Sequence, residues 1–78
     1  VTVYFLVTRY LKDEDFPDST TDVTAVGAEA LGEILGMPAD ELYDVYPLKQ
    51  EHAERVRRLT GIALDLEKYE YFLETEAE

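Results

Sequence analysis

No cysteine occurs anywhere in the 78 residues. Disulfides are therefore excluded, as is a zinc site built from thiolates, and the composition suits a reducing compartment. Histidine is almost as scarce: His52 is the only one, so no HExxH or other two-imidazole metal spacing exists. The one serine, Ser19, has no GxSxG setting and no histidine nearby in sequence. Positive charge is also short, with 7 Lys and Arg against 18 Asp and Glu and a formal net charge of −11. Such a field repels nucleic-acid phosphates and anionic membranes and attracts basic proteins and cations. Long apolar runs are missing as well. The longest, Val1 to Val7, is interrupted by Thr2 and falls far below the ~20 residues that span a bilayer. It lacks the basic flank and cleavage site of a secretory signal. Together these absences lead us to expect a soluble cytoplasmic protein with one domain over residues 1–78, no cofactor and no metal.

What is present is an ordinary globular apolar content of 46%. The acidity therefore describes a surface and not a disordered tail. A chain of this length buries roughly 60% of the surface that it exposes when unfolded. That supports one small core with little room for a closed substrate cavity. The charge is spread: residues 1–39 hold 7 acids and 2 bases, residues 40–78 hold 11 and 5. Two stretches are denser in acid, Lys12 to Asp22 and Asp65 to Glu78, while Lys49 to Thr60 runs the other way. An even spread is equally what a general acidic habit of an organism would give.

Val1, Val3, Phe5 and Val7 alternate with Thr2, Tyr4, Leu6 and Thr8, which predicts a strand from Val1 to Leu11. Both of its faces carry apolar side chains, Tyr4, Leu6 and Tyr10 on the second. Helices would cover one face, and something else, or a partner, the other. Lys12 to Asp22 has turn residues and no period and reads as a loop. Asp22 or Thr24 then caps a helix running to Leu35, with Ala28, Leu31, Ile34 and Leu35 buried and Gly36 ending it. Gly27 and Gly32 weaken that helix and face opposite sides, so at most one serves a close contact. Pro38 to Tyr43 forms a short helical turn, and Val45-Tyr46-Pro47 is extended because Tyr46 precedes a proline. Lys49 to Thr60 is the clearest helix, supported by Glu51–Arg55 and Glu54–Arg58 pairs and ended by Gly61. Asp65 to Lys68 is a turn. Tyr69 to Thr75 is a second strand, with Tyr69, Tyr71 and Leu73 on one face and Glu70, Phe72 and Glu74 on the other. The fold class is α+β, a β-α-α-β unit whose two helices pack on a short sheet of the N- and C-terminal strands. Two strands alone are marginal in water, so dimerisation is one way to extend them.

The residues that carry chemistry are few. His52 sits beside Glu51, but neighbours on a helix do not face each other, so it reads as a solvated helix residue. Asp13, Glu14, Asp15 and Asp18 supply oxygen ligands without the glycine and the twelfth-position glutamate of a calcium loop. They read as a solvated acidic loop. Arg55, Arg57 and Arg58 complement a helix C-terminus better than they would approach phosphates. The tyrosines say more. Tyr43, Tyr46, Tyr69 and Tyr71 alternate with Asp44, Glu67, Glu70 and Glu74, a mixture suited to docking a basic protein. The plain alternative is that these rings close the rim of a small core with their hydroxyls in water.

Tyr43-Asp-Val-Tyr-Pro-Leu, and Ile62-Ala-Leu-Asp-Leu-Glu-Lys-Tyr-Glu-Tyr-Phe-Leu-Glu, resemble segments of a group of short acidic bacterial proteins. Members of that group begin with a strand, carry a Leu-Gly helix end, and close on a Tyr-acid-Tyr-Phe-Leu-Glu segment. The likeness covers Val23 to Glu74 and leaves the acidic loop Lys12 to Asp22 unmatched. It implies an immunity-type protein, meaning a small acidic inhibitor of a toxin. The leading expectation is therefore a non-catalytic acidic protein-binding module that inhibits a basic toxin or another basic protein. Tyr43, Tyr46, Tyr69 and Tyr71 would be its anchors, and Asp44, Glu67, Glu70 and Glu74 would steer encounter. The alternative is a self-assembling, homodimeric structural or regulatory protein whose first strand is the seam.

Overall fold

A computed structural model describes residues 2–78, so the first residue of the strand expected from Val1 lies outside the described residues. Alternation of β-branched and aromatic residues produces the two long strands, β1 (Val3–Leu11) and β4 (Tyr69–Ala77). They pair antiparallel along their full lengths, from Val3 opposite Ala77 to Leu11 opposite Tyr69. Two shorter strands flank them, β2 (Pro17–Asp22) on β1 and β3 (Tyr46–Leu48) on β4. The sheet is antiparallel throughout with the order β2-β1-β4-β3.

The α+β class and its two helices stand, while the sheet has four strands instead of the expected two. Lys12 to Asp22 is a loop only in its first part. Asp13 takes a left-handed conformation (φ 69°) and the chain turns back as β2, with a register shift opposite Arg9 and Tyr10. Every residue of β2 is exposed, so neither face imposed an apolar period on its sequence. Tyr46 and Pro47 are extended as expected, and Tyr46 to Leu48 also joins the sheet.

The first helix, α1 (Ala28–Leu35), starts later than expected. Gly27 at φ 96° separates it from a 3-10 turn over Thr24–Val26. Asp22 therefore bonds to the entry of that turn and caps neither it nor the helix, its Oδ1 accepting the Thr24 N–H at 2.8 Å. The Thr24 hydroxyl oxygen in turn accepts the Phe5 N–H at 2.9 Å, tying the turn to β1. Gly36 (φ 69°) ends α1 as expected. The Met37 N–H donates to the Gly32 carbonyl and the Gly36 N–H to that of Glu33, which is a Schellman closure. The second helix, α2 (Ala53–Thr60), follows a 3-10 turn over Gln50–His52 and ends at Gly61 (φ 81°). The Lys49 N–H donates to His52 Nδ1 at 2.8 Å at its entry. The two expected ion pairs are not among those formed by the described residues. Glu51 belongs to the 3-10 turn, and Arg55 reaches across to the Ile34 carbonyl at 3.2 Å.

Both helices lie on one face of the sheet. Leu31 and Ile34 from α1 and Val56 from α2 pack with Phe5, Val7, Tyr71 and Leu73 from the strands. Leu42, Leu48 and Val23 complete this core from the connecting segments.

Candidate protein-binding surface

Directly paired residues of an antiparallel sheet share a face. Arg9 opposite Tyr71 and Leu11 opposite Tyr69 therefore place both tyrosines on the helix-covered side. Tyr71 is a core residue, 4% exposed, and its hydroxyl accepts the Asp65 N–H at 3.1 Å. Tyr69 is half-buried under the Arg9 guanidinium, whose central carbon lies 4.2 Å from the ring centroid. Arg9 also pairs with Asp18 across the β1–β2 hairpin, Nε donating to Oδ2 at 2.8 Å. Hydrogen bonding to Asp18, foremost, raises the guanidinium pKa above its ordinary value, against a smaller lowering by desolvation. Tyr46 is half-buried, and its hydroxyl donates to the Glu41 carbonyl at 2.9 Å.

The expected acidic partners of these rings lie elsewhere. Glu70 and Glu74 project from the opposite face of β4, Glu70 exposed and Glu74 partly so. Glu67 is exposed in the turn before β4. Tyr43, 74% exposed, and Asp44 stand free between the 3-10 turn Ala39–Glu41 and β3. The structure thus divides the eight residues instead of gathering them. Tyr46, Tyr69 and Tyr71 belong to the helix side, Glu70 and Glu74 to the open side, and Tyr43, Asp44 and Glu67 to connecting segments.

The open side forms a coherent surface of its own. Across β1 and β4 it pairs Tyr4 with Glu76, Leu6 with Glu74, Thr8 with Phe72 and Tyr10 with Glu70. Tyr10 and Phe72 meet edge-on with ring centroids 5.6 Å apart, and Thr8 beside them is buried. Thr20 and Asp22 border this surface from β2 and Pro47 from β3. None of these strand positions carries a lysine or arginine. Glu14 and Asp15, from the hairpin turn, and Val45 join Tyr10, Phe72, Glu70 and Glu74 around a hollow of about 370 Å³. The result is an apolar, aromatic centre with carboxylates on several sides. Its sequence signal was the second apolar face of β1, Tyr4-Leu6-Tyr10, aligned with Phe72 in β4.

Among the described residues no group of three or more His, Cys, Asp and Glu is placed to hold a metal ion. No helix among them is long and apolar enough to cross a membrane. His52 is spent on the backbone of Lys49.

Residues 4–74 fit the family model of a domain of unknown function (DUF7683). No curated protein and no solved structure matches the chain.

Proposed function

We propose that this chain, a member of the DUF7683 family of domains of unknown function, is a non-catalytic module that binds a basic protein. The observation that carries this reading is the open sheet face. Half-buried aromatic and aliphatic side chains sit at its centre, carboxylates stand on several sides of them, and both helices lie on the other side. Lys12 and Lys49 lie only in a neighbouring cleft beside Glu70 and Phe72. Surface rings are frequent anchors at interfaces, and rim carboxylates speed and orient encounter more than they add affinity. Leu6, Tyr10 and Phe72 act as the anchors, and Glu70, Glu74 and Glu76 as the steering charges. Of the residues singled out by sequence, Glu70 and Glu74 act on this face. Tyr43, which lines a hollow with Val3, Phe5 and Thr75 on the helix side, and Asp44 next to it in the connecting segment have no part in it. A net charge of −11 gives the long-range attraction.

In its finer form the target is a basic toxin in the cytoplasm, and the module is an immunity-type inhibitor. The test is affinity capture from the native host with elution by a salt gradient, run beside Phe72→Ala. A stoichiometric basic protein released by salt and lost with the variant is the expected result. Capture that is indifferent to both salt and Phe72 would refute the reading. The same apolar centre also supports a second reading, self-association. A mass by light scattering that doubles with concentration in the native chain and stays monomeric in Phe72→Ala would establish it.

A further inference from the structure

Resting on the reading of the open face as a site for a basic protein, we propose that its hollow selects arginine over lysine in the partner. The argument starts from what lines it. Tyr10 and Phe72 supply two aromatic rings set at 85° to one another, and Glu14, Asp15, Glu70 and Glu74 supply carboxylates around them. An ammonium is compact and strongly hydrated and gains less from a ring: over Tyr69, Lys68 Nζ stays 5.9 Å from the centroid while the Arg9 guanidinium carbon comes to 4.2 Å. A guanidinium is planar, more weakly hydrated and able to stack on an aromatic ring while its N–H groups reach a carboxylate. Its three-carbon stem covers apolar surface on the way in, here Val45, which is 56% exposed.

The protein already holds one guanidinium in this manner. On the opposite face of the same sheet, Arg9 lies over the Tyr69 ring while Asp18 accepts from its Nε at 2.8 Å. Arg9 thus fills its own aromatic-and-carboxylate cradle from within the chain. The open-face hollow has the same two ingredients, and no lysine or arginine lines it. Charge complementarity therefore assigns the hollow to a side chain brought by the partner. The register strengthens this. Tyr10 stands directly opposite Glu70, and Glu74 lies two residues beyond Phe72 on the same face. A guanidinium on the rings thus has a carboxylate on either side along β4.

The test uses isotope-labelled full chain and two blocked hexapeptides of equal charge, one of arginine and one of lysine, followed by NMR amide shifts and calorimetry. The expected result is binding by both, with shifts centred on Tyr10, Glu70, Phe72 and Glu74. Arginine should bind roughly two- to fivefold more tightly, the margin that an exposed cation over a ring carries. Phe72→Leu should erase that margin by weakening the arginine peptide more than the lysine peptide, and Glu70→Gln with Glu74→Gln should weaken both peptides by a similar factor. Equal affinities at this face would overturn the arginine inference and leave the basic-partner reading standing. Shifts centred elsewhere would overturn both. Open-face shifts that follow protein concentration without peptide would assign the face to a second copy and also overturn the inference.

Discussion

Tyr10 and Phe72 touch edge-on across the β1–β4 ladder, on the side of the sheet that the helices leave open. Neither ring is needed to seal the core, whose members lie on the other face. Phe72→Ala is therefore expected to keep the fold and to lose about 1 kcal/mol of stability, the centre of the range for point substitutions, because the ring is half-buried against Tyr10. Partner capture should fall at least ~30-fold, as at a central interface anchor. Thermal unfolding and capture measured on one preparation check both halves.

Steering by the acidic rim has its own signature. Between 0.05 and 0.5 M salt, the association rate with the captured partner should fall steeply while the dissociation rate changes little. Stopped-flow mixing measures this, and a flat association rate contradicts the electrostatic role of Glu70, Glu74 and Glu76.

Gly32 has no room for a side chain. A Cβ there would lie 2.5 Å from the Met37 carbonyl oxygen, held close by the Schellman closure of α1. Gly32→Ala should therefore destabilise by about 1–3 kcal/mol through overpacking, in spite of alanine's better helix propensity. Denaturant unfolding should show a lowered midpoint with an unchanged slope.

Tyr71 divides its contribution between packing and one hydrogen bond. Tyr71→Phe leaves the Asp65 N–H without its acceptor and should cost about 1–3 kcal/mol. Tyr71→Ala opens a cavity among Val7, Leu48 and Leu73 and should cost about 3–5 kcal/mol. Equilibrium unfolding of both variants separates the two parts.

Asp22 makes stability depend on pH. Its carboxylate accepts from Thr24, and that hydrogen bonding lowers its pKa below the ordinary 3.8. The unfolded chain then binds the proton more readily than the folded one. The stabilisation is complete above the ordinary value and disappears as pH falls through the depressed one. The melting temperature of the native chain should exceed that of Asp22→Ala at pH 6, and the gap should shrink as pH drops below 3.8.

Local rules made parts of this architecture legible in the sequence. Gly36 and Gly61 mark helix ends because a left-handed residue without a Cβ penalty is wanted there, and both take positive φ. The alternation of β1 and β4 is visible because one face of each must enter the core. By contrast, Pro17 to Asp22 has no buried side, so nothing in its composition distinguishes an exposed edge strand from a loop. Three-residue β3, with proline at its centre, is equally silent. In the candidate site, the alternation that reveals β4 also separates Tyr69 and Tyr71 from Glu70 and Glu74. Period two places neighbouring residues on opposite faces, so nearness in sequence could not gather them on one surface. Which side the helices cover depends on tertiary packing, and that decides which half of the alternation is free to bind.

The order β2-β1-β4-β3 also has a kinetic meaning. The two central strands are the first and last elements of the described chain, and their ladder joins Val3 to Ala77. Such long-range pairing slows folding, because chain closure must precede most of the contacts that reward it. On a ribosome, the β1–β2 hairpin and both helices would emerge before the strand that unites them. The core of Val7, Leu31 and Val56 is completed only when β4 brings Tyr71 and Leu73. Closure of the sheet then waits for β4 to emerge and pair with β1 and β3.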